Sequence, residues 1–365
     1  TTYMQLCNDD ICSLPEFSGV YERLGAPAPF FLVEAESRTE EIRRRVGIYE
    51  RAVTALAAFK YAKFGYLGHT YDGMYDMNTD PTAFSRTFGA HVKMLEMCEL
   101  AEYVHSATDA EVKAKVEEIK SIFDIREPSN DPLTDHVGES DLAGAARNAV
   151  ALDKLVTNNG LSALAYFYKG EHGNEYEDIA ANLIIGNTLL TSRGIPLAGE
   201  ADLKTAAAMM ILKSVGAGGS FAELHPFDIH DDIVLVGHDG PHNINISNEK
   251  PILRKLKKFH GKSGSGVSVE FKLKTGDVTL LSCSVDRTGS LKLISAVGES
   301  LPGAIPQTGN TNTKCRFSIP ACRFVEKWCA AAPTHHLALG VGNHTEEIEI
   351  FARMADIPLA KVLED

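Results

Sequence analysis

The sequence predicts an α/β plus β chain: a layered unit built on a parallel sheet, followed by an antiparallel barrel or sandwich. Three observations carry this. From about Lys63 to Gly219, short apolar runs alternate with helix-period segments, the pattern of a parallel sheet with helices on both faces. From about Ser220 the hydrophobic period switches to two, as where Val267, Val269, Phe271 and Leu273 alternate with Ser268, Glu270, Lys272 and Lys274. Before both lies a zone from Thr1 to about Ala62 with one strand and one long helix, too little to bury a core. That zone reads as the tail of a further α/β domain, or as an arm lying on another subunit. The expected units are therefore 1–62, 63–219 and 220–365.

The elements follow in order. Thr2–Cys7 is apolar and partly β-branched, a short strand. Ser37 and Glu40 have capping-box spacing, and Ile42, Val46, Tyr49, Val53, Leu56 and Phe59 then recur at steps of three and four, an amphipathic helix. Phe64–Gly68 and Met94–Met97 read as short strands, and Leu100–Phe123 has helical period. Leu142–Leu155 is an Ala-rich helix, Leu161–Tyr168 a buried strand, and Ile179–Leu190 a helix. Thr205–Ser214 is a further Ala-rich helix. Val234–Gly237, Val278–Val285, Leu291–Val297 and Leu337–Gly342 are strands, and Thr345–Ala355 closes the chain as a helix. In parallel sheets ligands sit beyond the carboxyl ends of the strands, which draws attention to the loop Gly68–Gly73.

Composition narrows the function. Apolar residues make up 44% and charged residues 23%, ordinary for a globular chain. Lys and Arg total 36 against 49 Asp and Glu, a formal net charge of −13. A chain this acidic lacks the cationic surplus for nucleic acid or an anionic membrane surface. No apolar run reaches the length of a membrane span, and Thr1–Asp10 does not read as a signal peptide. The seven cysteines form no C-x-x-C pair, which argues against a cysteine zinc site and for reduced thiols in a cytoplasm.

The stretch Gly194–His242 is dense in chemistry. Glu200 stands at the start of the helix Thr205–Ser214, where an acid has the plain role of complementing exposed N–H groups. Glu223 follows the glycines Gly216, Gly218 and Gly219 at a loop-to-strand junction. His238 ends the apolar run Val234–Gly237, and His335–His336 lead into the strand beginning at Leu337. Each alone has a structural explanation. Together, two carboxylates and one or two imidazoles suit Mn²⁺, Mg²⁺ or Co²⁺ better than structural zinc.

Other groups read as structure. Gly261–Gly266 lacks the P-loop spacing, since position 256 is Leu256, and is a flexible turn. Arg254, Lys255, Lys257 and Lys258 form a solvated strand edge. Trp328 belongs in the core. His225 and His230, near Asp228, Asp231 and Asp232, belong to a surface ion-pair loop.

Several segments resemble one family. Gly65–Met77, Gly199–Ala206, Ser220–Glu223, Val236–His238, and His335–His336 followed by Phe351–Ile357 are similar, in order and spacing, to motifs of the L-arabinose isomerase and L-fucose isomerase superfamily of metal-dependent aldose–ketose isomerases. The resemblance implies a Rossmann-like middle domain and a C-terminal β-barrel domain with the active site between them. It implies that Glu200, Glu223, His238 and His336 hold a divalent ion, commonly Mn²⁺, and that Glu200 and Glu223 serve as the acid–base pair. It further implies an unphosphorylated sugar substrate and a cytoplasmic homo-oligomer, with an N-terminal α/β domain of which this chain carries only the last strand and helix. Two other classes stay open: a non-catalytic sugar-binding or regulatory homologue, and a metal-assisted epimerase or aldolase.

Overall fold

The computed structural model describes residues 9–26, 30, 39–127, 133–171, 173–259, 262–263, 266–306 and 310–363. The expected strand Thr2–Cys7, the cap residue Ser37 and half of the glycine turn Gly261–Gly266 lie outside them. Helix α1 (Ser13–Arg23), which the sequence reading did not anticipate, contributes no buried residue. Helix α2 (Thr39–Phe59) buries Ile48, Ala52, Ala55 and Phe59, a narrower and more Ala-rich stripe than its apolar positions foretell. Val46 remains exposed.

The α/β unit is a four-stranded, wholly parallel sheet in the order β2–β1–β5–β6, built from β1 (Lys63–Gly68), β2 (His91–Leu95), β5 (Ala163–Phe167) and β6 (Leu197–Ala198). The helices around it are α3 (Pro81–Phe88), α4 (Met97–His105), α5 (Asp109–Ile122), α6 (Glu139–Asn159), α7 (Glu175–Ala181), α8 (Ile184–Ser192) and α9 (Leu203–Ser214). Two expected helices are each divided. Between α4 and α5, Thr108 accepts from the N–H of Glu111, while the Glu111 carboxylate accepts from the N–H of Thr108. That reciprocal cap starts a new helix. Asn174 caps α7, and Asn182 separates it from α8.

The barrel is closed. Strands β13 (Gly276–Val285), β16 (His336–Val341), β7 (Ser220–Asp228), β8 (Ile233–Gly237), β15 (Thr313–Arg316) and β14 (Leu291–Ser300) pair in that order, and β14 returns to β13 along a ten-residue antiparallel register. Strand β17 (Leu359–Lys361) adds in parallel to β14, after helices α10 (Ala321–Ala330) and α11 (Thr345–Met354). Trp328 is buried on α10, as expected.

Two expectations are corrected. The alternating run Val267–Leu273 is not a barrel strand. Its strand β12 (Ser268–Glu270) pairs with β9 (Ile252–Leu256) in a satellite sheet that also takes in β3 (Asp124–Ile125) and β4 (Thr134–Asp135). Period two reports a half-buried strand but not which sheet owns it. The basic stretch on β9 is not simply solvated: Arg254 is fully buried, donating to Glu270 at 2.8 Å and to Thr134 Oγ1 at 2.9 Å. Lys255 donates to Asp141 at 2.8 Å.

One helix joins the two units. Every residue of α9 from Leu203 to Leu212 is buried, so it is covered on all sides rather than along one stripe. It shares a core with Phe59 of α2, Ala163 and Ala165 of β5, Leu281 and Cys283 of β13, and Phe351 of α11. Phe59 stacks on Phe88 with ring centroids 4.6 Å apart. Because α9 begins just after β6, this packing brings the carboxyl ends of the parallel strands to the barrel.

Candidate metal centre

Glu200 sits in the tight turn between β6 and α9. Its backbone is left-handed, with φ 55°, and so is that of Ala201, with φ 59°. Such conformations cost about 1–3 kcal/mol each for ordinary residues and persist only where the surroundings enforce them. The turn leaves the capping role to Asp202, whose carboxylate accepts from the N–H groups of Lys204 and Thr205 at 3.1 and 3.2 Å. Glu200 therefore does not cap the helix, and its carboxylate turns toward the barrel.

The barrel supplies the imidazoles and the second acid. Glu223 lies within β7, not at its entrance, and pairs with His336 on β16 and with Gly237 on β8. Register thus sets Glu223 and His336 on neighbouring strands, with His238 just past the end of the next strand, β8. Glu200 Oε2 is 3.7 Å from His336 Nε2 and 3.9 Å from His335 Nε2. Glu200, His238 and His336 offer donor atoms all within 4.8 Å of one another, and so do Glu223, His335 and His336. All four predicted residues thus meet at one seam, with His335 beside them.

The surroundings fix the donors. Asp202, fully buried, lies 3.3 Å from His336 Nδ1. With the proton on Nδ1 donated to Asp202, Nε2 keeps its lone pair on the Glu200 side. Asp202 also accepts from the Thr205 hydroxyl at 2.8 Å and pairs with the fully buried Lys204 ammonium at 3.2 Å. Burial opposes its charge, but Lys204, His336 and Thr205 outweigh burial and hold its carboxyl well below the usual range. Burial, with the nearby His238, keeps His336 below the ordinary imidazole value. His238 goes the other way. Against the effect of burial, Asp239 at 3.1 Å and the charges of Glu223 and Glu200 raise it to about 9. The Phe221 ring packs on both imidazoles, 4.7 Å from His238 and 4.4 Å from His336 between centroids.

Glu200 Oε2 and His336 Nε2 are both buried without a hydrogen-bond partner. At 3.7 Å they are too far apart to satisfy each other. Buried polar atoms without partners are costly, and a carboxylate oxygen facing an imidazole lone pair is a donor set that a divalent cation satisfies. The residues present fit such an ion.

Sequence reasoning missed several members. Asp202 and Lys204 stand two and four residues beyond Glu200 in the quoted segment, and Asp76 stands in Gly65–Met77. Their residue types carried a signal that only packing could decode. His225 is corrected: it is not in a surface loop but on β7, largely buried, with Nε2 3.5 Å from Glu223. His230 is exposed, as expected.

A parallel α/β layer locked by one buried helix to a closed barrel, with acids and imidazoles at the seam, defines a two-unit protein with a candidate cation centre. Comparison with known proteins adds a likeness. Residues 74–218 match the family model of the L-arabinose isomerase central domain. L-arabinose isomerase of Escherichia coli O157:H7 is 23% identical over 352 residues, covering 92% of this chain and 67% of the relative. L-arabinose isomerase of Klebsiella pneumoniae subsp. pneumoniae is 23% identical over 350 residues, with the same coverage of each. The chain is thus similar to L-arabinose isomerases along most of its length, and to their central domain over residues 74–218.

Proposed function

We propose that this chain is a divalent-metal-dependent isomerase that interconverts an unphosphorylated aldose and its ketose. The observation that supports this most strongly is the convergence of Glu200, His238 and His336 in one group of donor atoms and of Glu223 with His336 in a second, with Glu200 Oε2 and His336 Nε2 buried and without a hydrogen-bond partner. These four residues would hold the ion, Mn²⁺ by the family resemblance, with Mg²⁺ and Co²⁺ as the alternatives. A bound divalent ion acts as a Lewis acid that stabilises negative charge developing on the sugar oxygens.

The chain's own residues do the rest. The reaction moves a proton between C1 and C2 through an enediol. One carboxylate of the Glu200–Glu223 pair takes the carbon-bound proton, the other, entering protonated, gives its own proton to the neighbouring carbon, and the hydroxyl proton passes from one sugar oxygen to the other. Asp202 keeps the His336 proton on Nδ1, so Nε2 keeps its lone pair free for a cation. Phe221 covers the imidazoles and excludes water, which strengthens the electrostatics. The units 1–62, 63–219 and 220–365 belong to this reading, with the site between the second and third, and so do a homo-oligomeric state and a cytoplasmic location.

The test is metal analysis combined with an isomerisation assay across a panel of aldoses in deuterated water. The expected result is one divalent ion per chain and a ketose product that gains solvent deuterium. Absence of both from every sugar overturns the proposal.

A further inference from the structure

Beside the four residues above stands His335, and its environment parallels that of His336. Asp76 lies in the short turn Tyr75–Met77 of the α/β unit, far from the barrel in sequence. Its Oδ2 accepts from the His335 backbone N–H at 2.9 Å and from ring Nδ1 at 2.7 Å. A carboxylate can only accept, so the contact places a proton on Nδ1. Nε2 then faces Glu200 Oε2, 3.9 Å away.

The turn bearing Asp76 is itself anchored. The buried Lys204 ammonium donates to the Met77 carbonyl at 2.7 Å while pairing with Asp202. One lysine therefore ties down both aspartates, and each aspartate orients one of two adjacent histidines. The two imidazoles are close, with centroids 3.9 Å apart. A ring left to rotate at His335 would disturb its neighbour.

We propose that Asp76 is a positioning residue for the isomerisation, acting through His335: it holds the ring by its Nδ1–H and so turns Nε2 toward the space shared by Glu200 and Glu223. This rests on the function proposed above for the kinetic half of its test only. The proton on Nδ1 follows from geometry alone.

The experiment uses the chain labelled with ¹⁵N-histidine, without added metal at pH 8, with the His335 resonances assigned through His335→Gln. In the unsubstituted protein the proton is expected on Nδ1 alone. In Asp76→Asn the amide can donate to Nδ1, so the proton is expected to move to Nε2. The fold should survive, because Asp76 is substantially exposed. With Mn²⁺ and a sugar that is turned over, Asp76→Asn should lower kcat by about 10–100-fold, the usual loss for a partner that orients a ligand, while KM stays within about twofold. A tie that merely held the loop would leave the tautomer unmoved. A proton on Nε2 in the unsubstituted protein, or an Asn variant indistinguishable from it in tautomer or in kcat, overturns the proposal. If no sugar is turned over, the isomerase reading fails, and the tautomer measurement alone decides the positioning claim.

Discussion

Replacing Asp202 by Asn tests how the seam is held together. Asp202 and Lys204 are both fully buried and pair at 3.2 Å. Removing the carboxylate charge leaves the Lys204 ammonium in the interior without its counter-ion. Breaking a buried pair from one side costs about 3–5 kcal/mol, whereas exchanging both partners for apolar groups is often near neutral. The helix cap is not the main loss, because Asn is as good an N-cap as Asp. At roughly 2–4 °C per kcal/mol for a unit of 150–250 residues, the expected drop in melting temperature is about 6–20 °C. Lys204→Met alone should also destabilise, by stranding the carboxylate. The double variant should recover much of the loss, giving a coupling energy above about 1 kcal/mol. The Asn amide also donates toward His336 Nδ1, which turns Nε2 into a donor of its proton, and Mn²⁺ affinity should fall about 10–100-fold. Calorimetry of the two single variants and the double variant, with Mn²⁺ titrations on each, reads all of this. An Asp202→Asn protein that melts within about 2 °C of the original, or additive effects in the double variant, refutes the reasoning.

Three further outcomes are expected. Glu223→Gln should abolish ketose formation with an unchanged circular dichroism spectrum, since the change removes a base without altering shape; retained turnover would exclude Glu223 from proton transfer. His242, fully buried and stacked on Phe271 with centroids 5.3 Å apart, has a pKa pushed down to about 4, chiefly by burial. The unfolded chain binds that proton from about pH 6.5 downward and the folded chain does not, so this site withdraws stability as pH falls. His242→Phe should accordingly remove about 2–3 kcal/mol of the acid destabilisation between pH 7 and pH 4.5, seen as a flatter shift of the urea midpoint. Phe59→Ala should cost about 3–5 kcal/mol, because it opens a cavity where α2, α3, α9 and α11 meet; a loss below about 1 kcal/mol would show that the cluster does not tie these helices together.

Much of the architecture was legible because period carries layer. The alternation of strand and helix before Gly219 and the period of two after it follow from which faces are buried. What period cannot show is ownership. Val267–Leu273 alternates like a barrel strand yet belongs to the β9 sheet, and Arg254 reads as surface until Thr134 and Glu270 arrive from distant segments. The candidate site divides similarly. Glu200, Glu223, His238 and the His335–His336 pair were legible as residue types that suit a cation, and the choice of His336 as the ligand of the pair came from the family resemblance. Asp202 and Asp76 were not, because a carboxylate that orients a histidine differs from a solvated one only in its surroundings. The turn that frees Glu200 from capping was hidden for the same reason, since its left-handed residues are Glu and Ala rather than Gly.

The central claim is that Glu200 and His336, one from each unit, share a divalent ion. Isothermal titration of the metal-stripped chain with Mn²⁺, repeated for Glu200→Gln and His336→Gln, tests it directly. The account predicts one ion per chain and a loss of at least tenfold in affinity in each variant. No binding to the original chain, or equal binding by all three proteins, contradicts it.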